Sequence, residues 1–128
     1  MIIPGGSEGV EALSANPHIE KLLQIQSQRG GIIAAICAAP TIIAQFNLAK
    51  RGSRITSHQS VESQFGKFTY LHENVVVDKN IITSRGAGTA FEFALTLVEI
   101  LVNNSMKNKI ADDIMLPPKI TSPSIEVE

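Results

Sequence analysis

The hydrophobic and polar positions change period several times along the chain, and each change marks an element. Met1-Ile2-Ile3 is a short apolar strand that runs directly into Pro4-Gly5-Gly6, a turn signal at its carboxyl end. Asn16-Pro17 starts a helix, because an Asn side chain accepts from free N–H groups and proline fits the first helical position. Ile19, Leu22, Leu23 and Gln26 carry this helix over residues 17–28, and Gly30-Gly31 ends it. Residues 32–36 are wholly apolar, the pattern of a central parallel strand covered on both faces. After Cys37 the pattern turns helical through Pro40, Ile42, Ile43 and Phe46 and stops near Gly52. Residues 54–57 read as a short strand ending at His58, and 60–65 as a short helix closed by Gly66.

Val75-Val76-Val77 and Ile81-Ile82-Thr83-Ser84 are β-branched runs separated by the turn-prone Asp78-Lys79-Asn80, which predicts a hairpin. Gly86-Ala87-Gly88-Thr89 leads into the strongest helix, over 90–102, with Phe91, Ala94, Leu95, Val98, Leu101 and Val102 on one broad stripe. Residues 106–115 form one more helix. The expected organisation is one partial α/β domain over 1–116 and a flexible tail over 117–128, rich in Pro, Ser and acidic residues. The alternation of strand and helix argues for a doubly wound domain that takes its ligands beyond the carboxyl ends of the strands.

Composition narrows the possible functions. The 128 residues carry 11 basic and 12 acidic side chains, with no basic stripe interleaved with aromatics, so nucleic acid is not an expected partner. The longest apolar run, 32–39, falls far short of the roughly 18–20 residues that span a membrane. No membrane partner is expected, and the first residues do not read as a secretory signal. One cysteine, Cys37, allows no internal disulfide and makes a reducing compartment the default. The cytoplasm is the expected location, with the nucleus and mitochondria as alternatives. His18, His58 and His72 have no second cysteine at ligand spacing, so neither metal nor cofactor is expected. Gly86-Ala87-Gly88 supplies only part of a dinucleotide fingerprint, and there is no phosphate-loop lysine. Phe91, Phe93 and Leu95 read as helix packing, and residues 50–54 as a solvated helix end.

Cys37 sits where the apolar strand gives way to a helix, between Ala34-Ala35-Ile36 and Ala38-Ala39-Pro40. A nucleophile on such a turn stands exposed at the edge of a sheet, and small neighbours let the chain bend. A helix opening at Pro40 would aim N–H groups at the sulfur and favour thiolate. The opposing interpretation, a buried small hydrophobe, is the commonest fate of a lone cysteine, and position alone leaves both open.

Ile3-Pro4-Gly5-Gly6, Ala35-Ile36-Cys37-Ala38-Ala39-Pro40, Thr56-Ser57-His58 and Ile82-Thr83-Ser84-Arg85-Gly86-Ala87-Gly88-Thr89-Ala90-Phe91-Glu92-Phe93 resemble, in order and spacing, the motifs of the PfpI-like superfamily. The resemblance extends over about 1–116 and is greatest to the DJ-one branch, that of the Parkinson-disease protein deglycase. It implies a flavodoxin-like sandwich of the class I glutamine amidotransferase type, usually homodimeric. It also implies that Cys37 is a catalytic nucleophile and a peroxide-sensitive thiol.

By the same resemblance, the N–H groups of Gly6 and Ala38 form an oxyanion hole, and Gly5 belongs to the turn beside the thiol. Arg85, Gly86 and Gly88 wall the pocket. His58 matches the histidine near the thiol and would assist proton transfer, although the residues alone favour a surface or capping histidine. Ala87 stands where the family often has proline.

Two departures matter. Ala38 follows the cysteine where family proteases carry histidine, which disfavours a Cys-His protease. The family also has strands and helices before the Pro-Gly-Gly turn, including a central strand and a glutamate that hydrogen-bonds the cysteine. The chain reads as N-terminally truncated, and neither Glu8 nor Glu11 stands in register for that role. The expected function is a cysteine-dependent glyoxalase or deglycase acting on methylglyoxal-type dicarbonyls or early glycation adducts, with a role in the oxidative-stress response. The alternatives are a non-enzymatic redox sensor or chaperone using Cys37, and a truncated inactive family member.

Overall fold

A computed structural model describes residues 1–117 of the chain. The fold divides into two compact units, Met1–Ala94 and Leu95–Glu128. The first holds a four-stranded sheet built from β1 (Ile2–Ile3), β2 (Ile33–Ile36), β5 (Val75–Asp78) and β6 (Ile81–Ser84), in the order β1-β2-β6-β5. β1, β2 and β6 are parallel, with Ile3 opposite Ala35 and Ile36 opposite Ser84. β5 closes the sheet as the antiparallel arm of the expected hairpin, Val77 opposite Ile82. The carboxyl ends of β1, β2 and β6 thus lie side by side, and the ligand-binding edge of an α/β sheet forms there.

Helices α1 (Ser7–Ser14) and α2 (Pro17–Gln28) connect β1 to β2. The expected start of α2 is present in detail: Asn16 caps it, its side chain accepting from the His18 N–H at 2.9 Å, with proline next. Its end is equally specific. Gly30 takes φ +71, the Gly31 N–H donates to the Gln26 carbonyl at 2.9 Å, and the Gly30 N–H donates to Ser27 at 3.0 Å, a Schellman pair.

The core of this unit is aliphatic: Ile3, Val10, Leu23, Ile33, Ala35, Ile42, Ile43, Ile55, Phe65 and Ile81 are all buried. A two-stranded parallel pair, β3 (Arg54–Ile55) with β4 (Thr69–Tyr70), lies beside it. Arg54 ties β3 to β5, its N–H donating to Asp78 Oδ2 at 2.8 Å and its guanidinium to the Val77 carbonyl at 2.9 Å. The Thr56 N–H donates to Thr83 Oγ1 at 3.0 Å, which brings the end of β3 to the end of β6.

Several expectations are corrected. α1 was not anticipated. Helix α3 (Pro40–Gln45) stops well before Gly52, because Asn47 turns into the left-handed region at φ 52. Residues 50–53 are therefore a connecting segment and Arg54 is the first residue of β3, so the run is not a helix end. The strand at 54–57 shortens to two residues, and 60–65 becomes a 3₁₀ helix over Gln59–Phe65. Helix α4 (Ala90–Leu101) is present, but its stripe differs: Phe91 is 64% and Leu101 62% exposed, Ala94 and Val102 are also exposed, and Phe93, Leu95 and Leu97 are the buried positions. Packing therefore fits Phe93 and Leu95 and fails for Phe91.

In the second unit α5 (Asn104–Asp113) starts two residues earlier than expected, capped by Asn103, and Lys107 pairs with Glu99 at 2.6 Å. No helix among the described residues is long and apolar enough to cross a membrane. Apart from Pro117, the expected tail lies outside the described residues.

Among the described residues β1 is an edge strand with a 61%-exposed Ile2, so one row of backbone groups and an apolar side chain face outward. The 128-residue chain is expected to self-associate with rising concentration in sedimentation velocity. A monodisperse 13.8 kDa monomer throughout the series would contradict this.

Candidate active site

Cys37 follows the last residue of β2 and precedes α3, and its backbone stands in the left-handed region at φ 65. That conformation is unfavourable for a residue with a Cβ, by about 1–3 kcal/mol, and is held only where the surroundings fix it. Here they do. The Cys37 N–H donates to the Ser84 carbonyl at 3.0 Å, and the Cys37 carbonyl accepts from the His58 N–H at 2.8 Å. The ends of β2, β6 and the segment after β3 are thereby joined at one residue.

Gly5 presses against the same residue from β1. A Cβ there would sit 2.7 Å from Cys37 Cβ, 3.1 Å from the Ile36 carbonyl oxygen and 3.5 Å from the sulfur. Only glycine lets the first loop approach this closely. Cys37 is half-buried, and among the described residues its thiol has no hydrogen-bond partner. The backbone N–H groups of Gly6 and Ala38 likewise have no acceptor among the described residues, and both flank the Gly5–Cys37 contact in sequence.

A cavity of about 350 Å³ opens at this edge, lined by His58, Gln59, Asn74, Arg85, Gly86, Ala87, Gly88 and Thr89. The structure thus brings His58, Arg85, Gly86 and Gly88 together, while Cys37 joins them through the backbone bonds just described. The His58 ring does not reach the thiol for a hydrogen bond. It caps the 3₁₀ helix, Nδ1 accepting from the Ser60 N–H at 3.2 Å and lying 2.7 Å from Ser60 Oγ. Arg85 Nε donates to the Ser57 carbonyl at 3.4 Å.

Thr89 organises the glycine loop. Its hydroxyl oxygen accepts from the N–H groups of Arg85 and Gly86, each at 3.2 Å. Sequence reasoning missed Ser60, Asn74 and Thr89. A threonine closing a Gly-x-Gly loop is a recognisable side-chain turn signal, whereas nothing local marks Asn74 as a wall of this cavity.

A strained cysteine at a strand-to-helix turn, with a glycine turn packed against it, is the backbone geometry of an elbow in an α/β protein. Residues 1–100 match the model of the DJ-1/PfpI family, and the chain belongs to that family.

It is 42% identical over 113 residues to Protein DJ-1alpha of Drosophila melanogaster, covering 87% of this chain and 52% of that protein. It is 41% identical over 118 residues to the glutathione-independent glyoxalase DJR-1.2 of Caenorhabditis elegans, covering 91% of this chain and 62% of that protein. The crystal structure of Drosophila melanogaster DJ-1beta superposes with a TM-score of 0.87 at 39% identity, over 91% of this chain and 63% of that one. The chain therefore spans between half and two thirds of the length of these relatives, and the α/β fold expected from the sequence is the one found.

Proposed function

We propose that this protein is a cysteine-dependent glyoxalase- or deglycase-like enzyme acting on methylglyoxal-type dicarbonyls or their early adducts, with a role in the oxidative-stress response. The observation that carries the reading is Cys37 itself, half-buried at φ 65 with Gly5 packed against it. Relatives named glutathione-independent glyoxalase in Caenorhabditis elegans and Schizosaccharomyces pombe support the choice of chemistry.

In this reading the Cys37 thiolate adds to the aldehyde carbon. A C–S bond forms, and the carbonyl π electrons move to oxygen, for which the N–H groups of Gly6 and Ala38, without an acceptor among the described residues, are the candidate donors. The hemithioacetal proton on carbon then shifts to the neighbouring carbonyl carbon through an enediol, leaving the thioester of lactate. Water cleaves the thioester, releasing lactate and the thiol, with no external oxidant or reductant. His58 belongs to the same site as a partner for substrate oxygen, and Arg85, Gly86 and Gly88 form its wall. A homodimer is the assembly this reading includes. The test is Cys37-dependent formation of lactate from methylglyoxal.

A second reading, a redox sensor or chaperone, draws on the same half-buried cysteine, whose thiol peroxide would take to sulfenic and then sulfinic acid. Peroxide-sensitive partner binding without dicarbonyl turnover separates it from the first.

A further inference from the structure

At the end of the strands opposite Cys37, near the starts of β2 and β6, the first unit carries a hollow of about 620 Å³. Three segments line it: the end of α2 at Ser27 and Gly30, the connection from α3 to β3 at 47–51 and 53, and the hairpin turn at 78–81.

The acceptors around this hollow are spent. The ends of α2 and α3 bring backbone carbonyls to it, and a helix carboxyl end ordinarily attracts cations. Here those carbonyls are satisfied internally: Ser27 by the Gly30 N–H at 3.0 Å, Phe46 by Gln24 Nε2 at 2.8 Å and Gly31 by Asn80 Nδ2 at 3.0 Å. The Lys50 carbonyl takes the Ser53 N–H at 3.0 Å. Asp78, the one acid among the described lining residues, accepts the Arg54 N–H through Oδ2 at 2.8 Å.

The donors are not spent. The side chains of Lys50, Arg51 and Lys79 have no ion-pair or hydrogen-bond partner among the described residues. Lys79 also stands in the left-handed region at φ 55, in a hairpin turn where glycine would sit without strain. The turn thus holds a cation at the rim of the hollow against its own backbone preference.

We propose that this hollow binds the phosphate group of a small phosphate ester, with Lys50, Arg51 and Lys79 as the binding side chains. The inference is independent of the chemistry at Cys37. Three cations carried by two loops suit a tetrahedral dianion, whose oxygens accept from several directions and whose charge answers more than one cation. A carboxylate offers one plane and one charge. The volume lies in the range of small-molecule sites and leaves room for the esterified part beside the phosphate.

The test is an amide NMR titration of the ¹⁵N-labelled 128-residue chain at constant ionic strength. The probes are glycerol 3-phosphate, adenosine 5′-monophosphate, inorganic phosphate, acetate and heparin. Both esters should give saturable shifts at Lys50, Arg51 and Lys79, and acetate should not. The tighter of the two esters tells a polyol phosphate from a nucleotide. Unsaturated shifts with both esters, or saturation confined to the cavity beside Cys37, overturn the proposal. So does tighter binding of inorganic phosphate than of either ester, or saturation by heparin alone, which would make the patch a polyanion surface. Arg51→Gln and Lys79→Gly should each weaken the esters about tenfold, the loss of one charge-assisted hydrogen bond. Lys79→Gly is also the folding control, because it relieves the left-handed backbone and should not lower the melting temperature. Unchanged affinity in both variants overturns the site.

Discussion

Cys37→Ala is expected to abolish lactate formation from methylglyoxal, and His58→Ala to lower it only about tenfold. The asymmetry follows from what each residue does. The C–S bond has no substitute, because the described part of the site holds no other nucleophile at the elbow. A hydrogen bond from His58 to substrate oxygen is partly replaced by water, and losing it weakens stabilisation without removing the step.

The absolute rate should be low, because among the described residues no carboxylate partners the Cys37 thiol. General acid–base assistance is typically worth about 10² to 10⁴ in rate. Fusing or adding in trans a segment that supplies an acidic partner, as the family resemblance implies, should restore that factor. Unchanged turnover in Cys37→Ala would remove the cysteine from the mechanism.

Gly5→Ala is expected to damage both fold and activity, although it adds one methyl group. The new Cβ would meet Cys37 Cβ at 2.7 Å and the Ile36 carbonyl oxygen at 3.1 Å, and neither is the free end of a flexible side chain. β1 would have to move away from β2 next to the Ile3–Ala35 pair. Overpacking of this kind destabilises by about 1–3 kcal/mol. A displacement of about 1 Å at a reacting group can lower rate by about 10². Gly9→Ala is the matched control: nothing lies within 4 Å of its Cβ, and its place inside α1 favours alanine by about 0.5–1 kcal/mol. Thermal unfolding and lactate assays on both variants test the contrast. Equal stability and turnover in Gly5→Ala and the parent would contradict the close contact.

The parts of the fold legible in the sequence are those with strong local signals. Asn16-Pro17 and Gly30-Gly31 bracket α2 because caps and left-handed glycines act within a few residues. Helix α1 escaped for the opposite reason: its N-terminal neighbour Gly6 offers no side-chain cap, Gly9 interrupts it, and Val10 is its one buried residue. The stripe on α4 was misplaced because Ala90–Leu101 is apolar nearly all round, and periodicity cannot tell which face a neighbour covers. Two-residue strands such as β3 and β4 fall below any period.

At the site, Cys37 was legible because an elbow is a local feature. The bond from the Ser60 N–H to the His58 ring is a product of the fold that no pattern in the sequence announces. So is the meeting of His58 with Arg85, which depends on where the end of β3 falls against β6.

The most direct measurement of the central claim, that Cys37 is a reactive nucleophile for dicarbonyls, is its alkylation by iodoacetamide at about pH 6.5, some two units below an ordinary thiol's pKa of about 8.5. Peptide mass spectrometry would follow the rate with and without methylglyoxal. The account predicts a rate well above that of free cysteine and strong protection by methylglyoxal, as the aldehyde occupies the sulfur. A rate equal to free cysteine, unaffected by methylglyoxal, would contradict it and leave Cys37 a packing residue at a strained turn.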